Sequence, residues 1–277
     1  MEVLKLAAFS QNGQGGNPAG VAFYDEMPVE DEMLAIAKEV GYSETAFLVK
    51  QADGWRVRYF APEMEVPFCG HATIALGAAL GERFGEGTYK LFLNKSEISV
   101  RAEKTSEGAF EATLQSPQPH SEDVPAEFLK KILASFQLKV DSLAPAFPPR
   151  FASAGAKHLI LFLKDRKTLA DMTYPFDEVR ALMSEQGLVT ISLLWQESES
   201  VFHSRNAFAS GGVYEDPATG AAAAALAGYL RDINWQGKAT FTIFQGEDMG
   251  VPSRLTVAFT PKAGESVSVS GEVRHIE

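Results

Sequence analysis

Two helical stretches of this chain, far apart, have bodies almost free of charge. The first begins Phe68-Cys69-Gly70-His71-Ala72-Thr73 and continues Ile74-Ala75-Leu76-Gly77-Ala78-Ala79-Leu80-Gly81. The second begins Glu215-Asp216-Pro217-Ala218-Thr219-Gly220 and runs through the alanine tract Ala221 to Ala225 into Leu226-Ala227-Gly228-Tyr229-Leu230. A helix without a polar face is buried on all sides, and Ala and Gly are small enough to let strands pack close all round it. The sequence therefore predicts an α+β fold of two pseudo-symmetric domains, each a curved sheet or barrel wrapped around a central buried α-helix. Each helix start offers backbone N–H groups without intrahelical acceptors and the positive end of the dipole. Two such starts facing one interdomain cleft would make an anion site, suited to a carboxylate and to the charge that develops as it reacts.

A length of 277 residues exceeds what one core usually organises and favours two domains. The linker candidate is Ser116-Pro117-Gln118-Pro119-His120. It divides the chain into residues 1–118 and 119–277, the last strand (about 266–277) being a candidate to pack back on the first half. A net charge of −11 leaves no basic stripe for nucleic acid or anionic membrane. The single cysteine, Cys69, rules out an intrachain disulfide and fits a reducing compartment. Met1 to Leu6 lacks the basic start and apolar core of a signal peptide, and no segment is long enough to span a bilayer. The expected location is the cytoplasm.

Along the chain, strands are expected at Val3–Phe9 and Val21–Tyr24, separated by a Gly/Asn-rich turn over Asn12–Gly20. Val29–Val40 has helical spacing, with Gly41 where the helix should end. Thr45–Val49 and Trp55–Phe60 form a hairpin, followed by the first buried helix and strands at 89–93, 98–102 and 109–114. Beyond the linker the order repeats in outline. A helix near 126–136 precedes strands near 159–163, 188–195 and 201–208. The second buried helix spans 218–230, and strands follow at 239–244, 254–259 and 266–273. The repeat reads as one of architecture more than of letters.

Few residues carry chemistry. Glu44, in Ser43-Glu44-Thr45-Ala46-Phe47, is a carboxylate beside a core strand. It is either a strand-end surface residue or a general acid/base at the rim of a dry pocket. His71 stands at the first helix start, where a histidine can exchange protons with a substrate. Asp216 precedes Pro217, which suits a first helical turn, so Asp216 reads as an N-cap, a role compatible with facing substrate. Gly70 and Gly220 let backbone approach a ligand, whereas Gly77, Gly81 and Gly228 serve packing. Gly15 to Gly20 is no phosphate loop, because Pro18 replaces the needed Gly and no Lys-Ser/Thr follows. The histidines at 71, 120, 158, 203 and 275 are scattered, without helical spacing or a cysteine cluster, and support no metal. Cys69 beside a buried helix reads as a small hydrophobe. A racemase using two thiols is excluded, since the second helix start carries Asp216 and Pro217.

Five segments in order, Gly16-Asn17-Pro18-Ala19-Gly20-Val21, Ser43 to Phe47, Phe68 to Thr73, Glu215 to Gly220 and Gln245-Gly246-Glu247-Asp248-Met249-Gly250-Val251-Pro252-Ser253, resemble the phenazine-biosynthesis PhzF-like isomerases of the diaminopimelate epimerase-like superfamily. The resemblance runs from near residue 3 to near residue 273. It implies two pseudo-symmetric domains, isomerisation by proton transfer next to a carboxylate with no cofactor, and a homodimer. It also implies catalytic roles for Glu44, His71 and Asp216, and substrate contacts by Asn17, Gly70, Thr219, Gly220 and Ala221. Two positions depart from many relatives: Ala221 stands where a Ser supplies a hydroxyl, and Cys69 stands where a small residue is common and where true epimerases hold a thiol. The function expected is a cofactor-independent isomerase with Glu44 as acid/base, acting on a small carboxylate. The alternatives are an amino-acid racemase or epimerase using Cys69 with Glu44, and a small-carboxylate binding protein without turnover.

Overall fold

A computed structural model describes residues 2–276. Backbone contacts divide the chain into two compact units, Met1–Gln115 with Ser270–Glu277, and Ser116–Val269.

The first unit opens with strands β1 (Leu4–Ser10) and β2 (Asn17–Tyr24) and helix α1 (Glu30–Val40). The hairpin β3 (Thr45–Gln51) and β4 (Gly54–Phe60) is followed by the two-residue β5 (Glu65–Val66) and helix α2 (Gly70–Phe84). Strands β6 (Gly87–Phe92), β7 (Glu97–Lys104) and β8 (Phe110–Gln115) come next, and the chain's last strand, β17 (Ser268–His275), returns to this unit. The pairing order β17–β1–β2–β3–β4–β6–β7–β8, with β8 paired to β17, is a closed ring. Closure leaves no free edge. Helix α2 contacts β1, β2, β3, β6, β7 and β8, so it fills the ring. Every residue from Ala72 to Gly81 is buried, which is why its sequence carries no polar face. A Cβ on Gly77 would stand 2.5 Å from Val100 Cγ2 and 2.9 Å from Ala112 Cβ, so β7 and β8 approach as closely as they do because this position has no side chain.

Strand β2 begins at Asn17, earlier than the sequence suggests, with Asn17 and Pro18 already opposite Ala8 and Ala7. Pro18 is tolerated for a geometric reason. The Gly20 N–H points to Glu44 O on the β3 side, and Pro18, two residues earlier, has the same orientation. Strand β3 starts opposite Gly20, so no ladder bond is lost at Pro18.

The second unit carries β9 (His120–Asp123), α3 (Ala126–Ser135), β10 (Arg150–Ser153), β11 (Lys157–Phe162), α4 (Arg166–Ala170) and α5 (Phe176–Gln186). Then follow β12 (Thr190–Ser198), β13 (Val201–Ala207), the two-residue β14 (Glu215–Asp216), α6 (Gly220–Asp232), β15 (Thr240–Gln245) and β16 (Ser253–Ala258). Helix α5 occupies a stretch to which the sequence reading assigned nothing. Its buried Val179, Leu182 and Met183 pack into the outer core with Phe128, Leu161 and Leu193.

The ladder of this unit repeats that of the first. β11 and β12 pair in parallel as β2 and β3 do, β12–β13 match the hairpin β3–β4, β13–β14 match β4–β5, and β13–β15 match the parallel β4–β6. Aligning the two-residue strands and helix starts shows that the repeat extends to letters. Glu65, Pro67, Gly70, Ala72, Ala75, Leu76 and Leu80 correspond to Glu215, Pro217, Gly220, Ala222, Ala225, Leu226 and Leu230. Helix α6 is buried from Ala222 to Leu230 and contacts β9, β10, β11 and β16.

Candidate active site

In the first unit the hairpin and the start of α2 bring three reactive side chains together. Glu44 immediately precedes β3, Cys69 is the N-cap of α2, and His71 is its second residue. Glu44 Oε2 lies 3.3 Å from His71 Nε2, with the side chains 20% and 11% exposed. The contact lacks hydrogen-bond alignment, and Oε2 is shielded from solvent with no hydrogen-bond partner among the described residues. Ser43 Oγ lies 3.3 Å from the same Nε2, while Cys69 Sγ is 3.3 Å from His71 Nδ1. The imidazole therefore has a thiol on one nitrogen and a carboxylate with a hydroxyl on the other. Donor atoms of Glu44, Cys69 and His71 all lie within 4.8 Å of one another, a convergence that the scattered histidines do not reveal in the sequence.

The helix start is itself held from below. Thr73 donates both its N–H and its hydroxyl to Cys69 O, at 3.0 and 2.6 Å. The Tyr59 hydroxyl of β4 meets Thr73 Oγ1 at 2.7 Å. Burial pushes the Tyr59 phenol far above its ordinary range, so it remains a neutral hydrogen-bonding group. The short strand leading into the helix is tied by Arg58, which grips Glu65 with two hydrogen bonds of 2.8 and 2.6 Å. That guanidinium holds the Glu65 carboxyl below the usual carboxylate range.

The second unit repeats the anchor at its own helix start. Arg205 Nε and a terminal nitrogen bond Glu215 at 3.0 and 2.5 Å, with side chains only 10% and 3% exposed, and Arg205 also donates to Ala170 O at 2.7 Å. Asp216 belongs to β14 and pairs with Asn206. It is not the N-cap that the sequence suggested: Thr219 is, and the Thr219 hydroxyl donates to the Asp216 carboxylate. Pro217 accordingly precedes the helix rather than opening its first turn. The difference comes from Gln245, buried at the end of β15. Its amide donates to Asp216 O at 2.6 Å and to Thr219 Oγ1 at 3.1 Å, and its carbonyl accepts from Thr219 N–H at 3.2 Å. These bonds hold Asp216 to Thr219 outside the helix. By ladder position Gln245 matches Leu93, so this clamp has no counterpart in the first unit.

The remaining expected positions fall as follows. Gly70 and Gly220 are the first residues of α2 and α6, and Ala221 is the residue of α6 matching His71. Asn17 is buried at the first position of β2, beside Gly16, whose φ of +84° and contact with Ala8 O permit no side chain. Arg58, Glu65, Arg205, Glu215 and Gln245 are the supporting residues that the sequence reading did not assign. Their signal was the repeated Glu-x-Pro before each buried helix, and a polar residue ending the otherwise alternating β15.

A barrel closed around a buried helix, and a second set of strands in the same pairing order around another, make an epimerase-like fold. The family model described as phenazine biosynthesis-like protein, PhzC-PhzF, matches residues 6–275, and the chain belongs to that family. The "Uncharacterized isomerase YfhB" of Bacillus subtilis is 29% identical, the match covering 100% of this chain and 97% of that protein. The structure of a PhzF-family phenazine biosynthesis protein from Bacillus anthracis superposes with a TM-score of 0.88 at 23% identity, covering 100% and 98% of the two chains. A hydroxyproline epimerase from Agrobacterium vitis shares the fold at a TM-score of 0.62 and 11% identity, covering 99% and 88%. The chain is thus an enzyme of an isomerase family. No helix among the described residues is long and apolar enough to cross a membrane.

Proposed function

We propose that this enzyme is a cofactor-independent isomerase that moves a proton on a small carboxylate-bearing substrate. Glu44 takes a proton from the carbon beside the carboxylate, the electron pair passes into an enolate-like system, and the proton returns elsewhere on the same molecule. His71 and Asp216 supply hydrogen bonds and relay charge, while Asn17, Gly70, Thr219, Gly220 and Ala221 contact the substrate. Backbone N–H groups at a helix start are suited to meet the developing negative charge, a preorganised stabilisation of the kind that carries much of enzymatic rate enhancement. The observation that carries the reading is the Glu44 carboxylate oxygen 3.3 Å from His71 Nε2, shielded from solvent and without a hydrogen-bond partner among the described residues. An acceptor so placed is ready for a substrate proton. The enzyme acts in this reading as a cytoplasmic homodimer without nucleic-acid or membrane partners.

The contact of Cys69 Sγ with His71 Nδ1 at 3.3 Å favours a second reading, an amino-acid racemase or epimerase with Cys69 and Glu44 as its two bases. Both are tested by incubating the enzyme in D2O with amino acids and cyclic dienoic acids and reading deuterium uptake by mass spectrometry. Isomerisation with label at a new carbon supports the first reading. Label only at Cα, with loss of optical purity, supports the second. Absence of label from every carboxylate class offered refutes proton transfer.

A further inference from the structure

The three side chains at the start of α2 also form a soft-metal site. We infer that Glu44, Cys69 and His71 bind a thiophilic divalent cation of the Zn2+ class, with the fourth position left to water. The binding stands on these side chains alone; only its consequence, inhibition, rests on the proposed function.

Tetrahedral zinc with bonds of roughly 2.3 Å to sulfur and 2.0–2.2 Å to nitrogen and oxygen requires ligand-to-ligand separations of roughly 3.4–3.6 Å. Cys69 Sγ is 3.3 Å from His71 Nδ1 and 3.9 Å from Nε2, and Glu44 Oε2 is 3.3 Å from Nε2. These two kinds of pair bracket the required separations, and the third, Sγ to Oε2, lies within 4.8 Å. A turn of the Glu44 or Cys69 side chain toward the other, with one imidazole nitrogen between them, brings the three donor atoms onto a common centre. Thiolate, imidazole and carboxylate are the donor types zinc takes, and three protein ligands with one open position match the sites in which zinc keeps an exchangeable ligand. The electrostatics favour a cation there. The Glu44 oxygen is an acceptor hidden from solvent without a hydrogen-bond partner, and a cation would satisfy it. Cys69 is the N-cap of a helix of fifteen residues, two positions before His71, so backbone geometry places its sulfur beside the imidazole. The cluster is partly buried and is carried on two tied elements, the edge of β3 and the start of α2, so the ligands are held before the metal arrives.

Such a metal would occupy the same atoms that the proposed proton transfer uses, and would block it. Isomerase activity should fall as Zn2+ is added and return on chelation.

The test uses the full chain and Co2+ as a spectroscopic probe. Cys69 is the only cysteine, so any thiolate-to-cobalt charge-transfer band reports on this site alone. The expected result is one equivalent of Co2+ per chain, with that band and the visible bands of a four-coordinate ion, displaced by Zn2+. Cys69→Ser should lose the charge-transfer band, and Glu44→Gln should weaken binding at least tenfold. His203→Gln should leave it unchanged, although His203 contacts two carboxylates, Glu197 and Glu247, at 2.8 and 2.7 Å. Should a variant misfold, the unmodified protein still decides: Zn2+ must slow alkylation of Cys69 by N-ethylmaleimide at least tenfold. Absence of the charge-transfer band, or unaltered alkylation with stoichiometric Zn2+, overturns the assignment. Binding without inhibition would retain the metal site and count against the proposed mechanism.

Discussion

Replacing His158 should flatten the acid sensitivity of the second unit. His158 lies in β11, wholly buried, with Nδ1 2.7 Å from Thr190 Oγ1 and no hydrogen-bond partner for Nε2 among the described residues. Burial lowers its pKa from 6.5 to about 3, because an imidazolium there would lose its hydration without gaining a counter-charge. The folded pKa lies below the unfolded one, so the unfolded chain binds the proton first as pH falls. The stability that neutral His158 permits is whole above pH 6.5 and is lost progressively toward pH 3. With those two values the loss is about 2 kcal/mol by pH 5, and roughly 5 kcal/mol once pH 3 is passed. Urea unfolding at pH 7 and pH 5, followed by Trp195 and Trp235 in a Trp55→Phe background, measures it. His158→Asn retains a donor for Thr190 but cannot take up a proton. It should lose about 2 kcal/mol less than the parent between the two pH values, whatever its stability at pH 7. Equal losses in parent and variant would refute the reasoning.

Other consequences follow from packing and anchoring. Gly77→Ala should destabilise the first unit by about 1–3 kcal/mol in urea unfolding, since the new methyl meets Val100 and Ala112 and neither can withdraw from a closed ring. Arg205→Met should cost roughly 3–5 kcal/mol by leaving the buried Glu215 carboxylate unpaired, and Arg58→Met should cost less because its pair keeps contact with water. Equal costs in denaturant titrations would count against that distinction. Cys69→Ala should keep most isomerase activity and lose about 1 kcal/mol of stability, as a small truncation of a buried residue. Complete loss of turnover in a folded Cys69→Ala protein would favour the two-base racemase.

The fold was legible where composition left one option. Charge-free Ala/Gly helices must be buried, and α2 and α6 are enclosed by strands as that requires. Strand alternation and the Gly41 stop placed most of the first unit, with Gly41 in the left-handed conformation that ends α1. The early start of β2 was hidden because Pro18 reads as a turn residue until the absence of a β3 partner at that position is known. Helix α5 was readable in principle from Phe176, Val179, Leu182 and Met183, with acidic residues in its first turn and Gly187 at its end. The letter repeat is masked because Phe68, Cys69, His71 and Thr73 correspond to Ala218, Thr219, Ala221 and Ala223, so the register shows only through the Glu-x-Pro upstream and the small residues of the helix bodies. The candidate site was legible as separate residues but not as a cluster. Nothing in the sequence spacing of Glu44 and His71 brings them together; the hairpin and the closed ring do. Gln245 was the least legible, because its role depends on the backbone of Asp216 and Thr219, and a backbone carbonyl leaves no mark in the sequence.

Transfer of solvent deuterium to substrate carbon by Glu44→Gln most directly tests the claim that this carboxylate moves the proton. The amide keeps the shape of the side chain while removing its basicity. On a carboxylate that the unmodified enzyme labels and isomerises, Glu44→Gln should fold normally and lose both label and turnover together by roughly 10²–10⁴. Near-normal labelling and turnover in that variant would contradict the account and remove Glu44 from the chemistry.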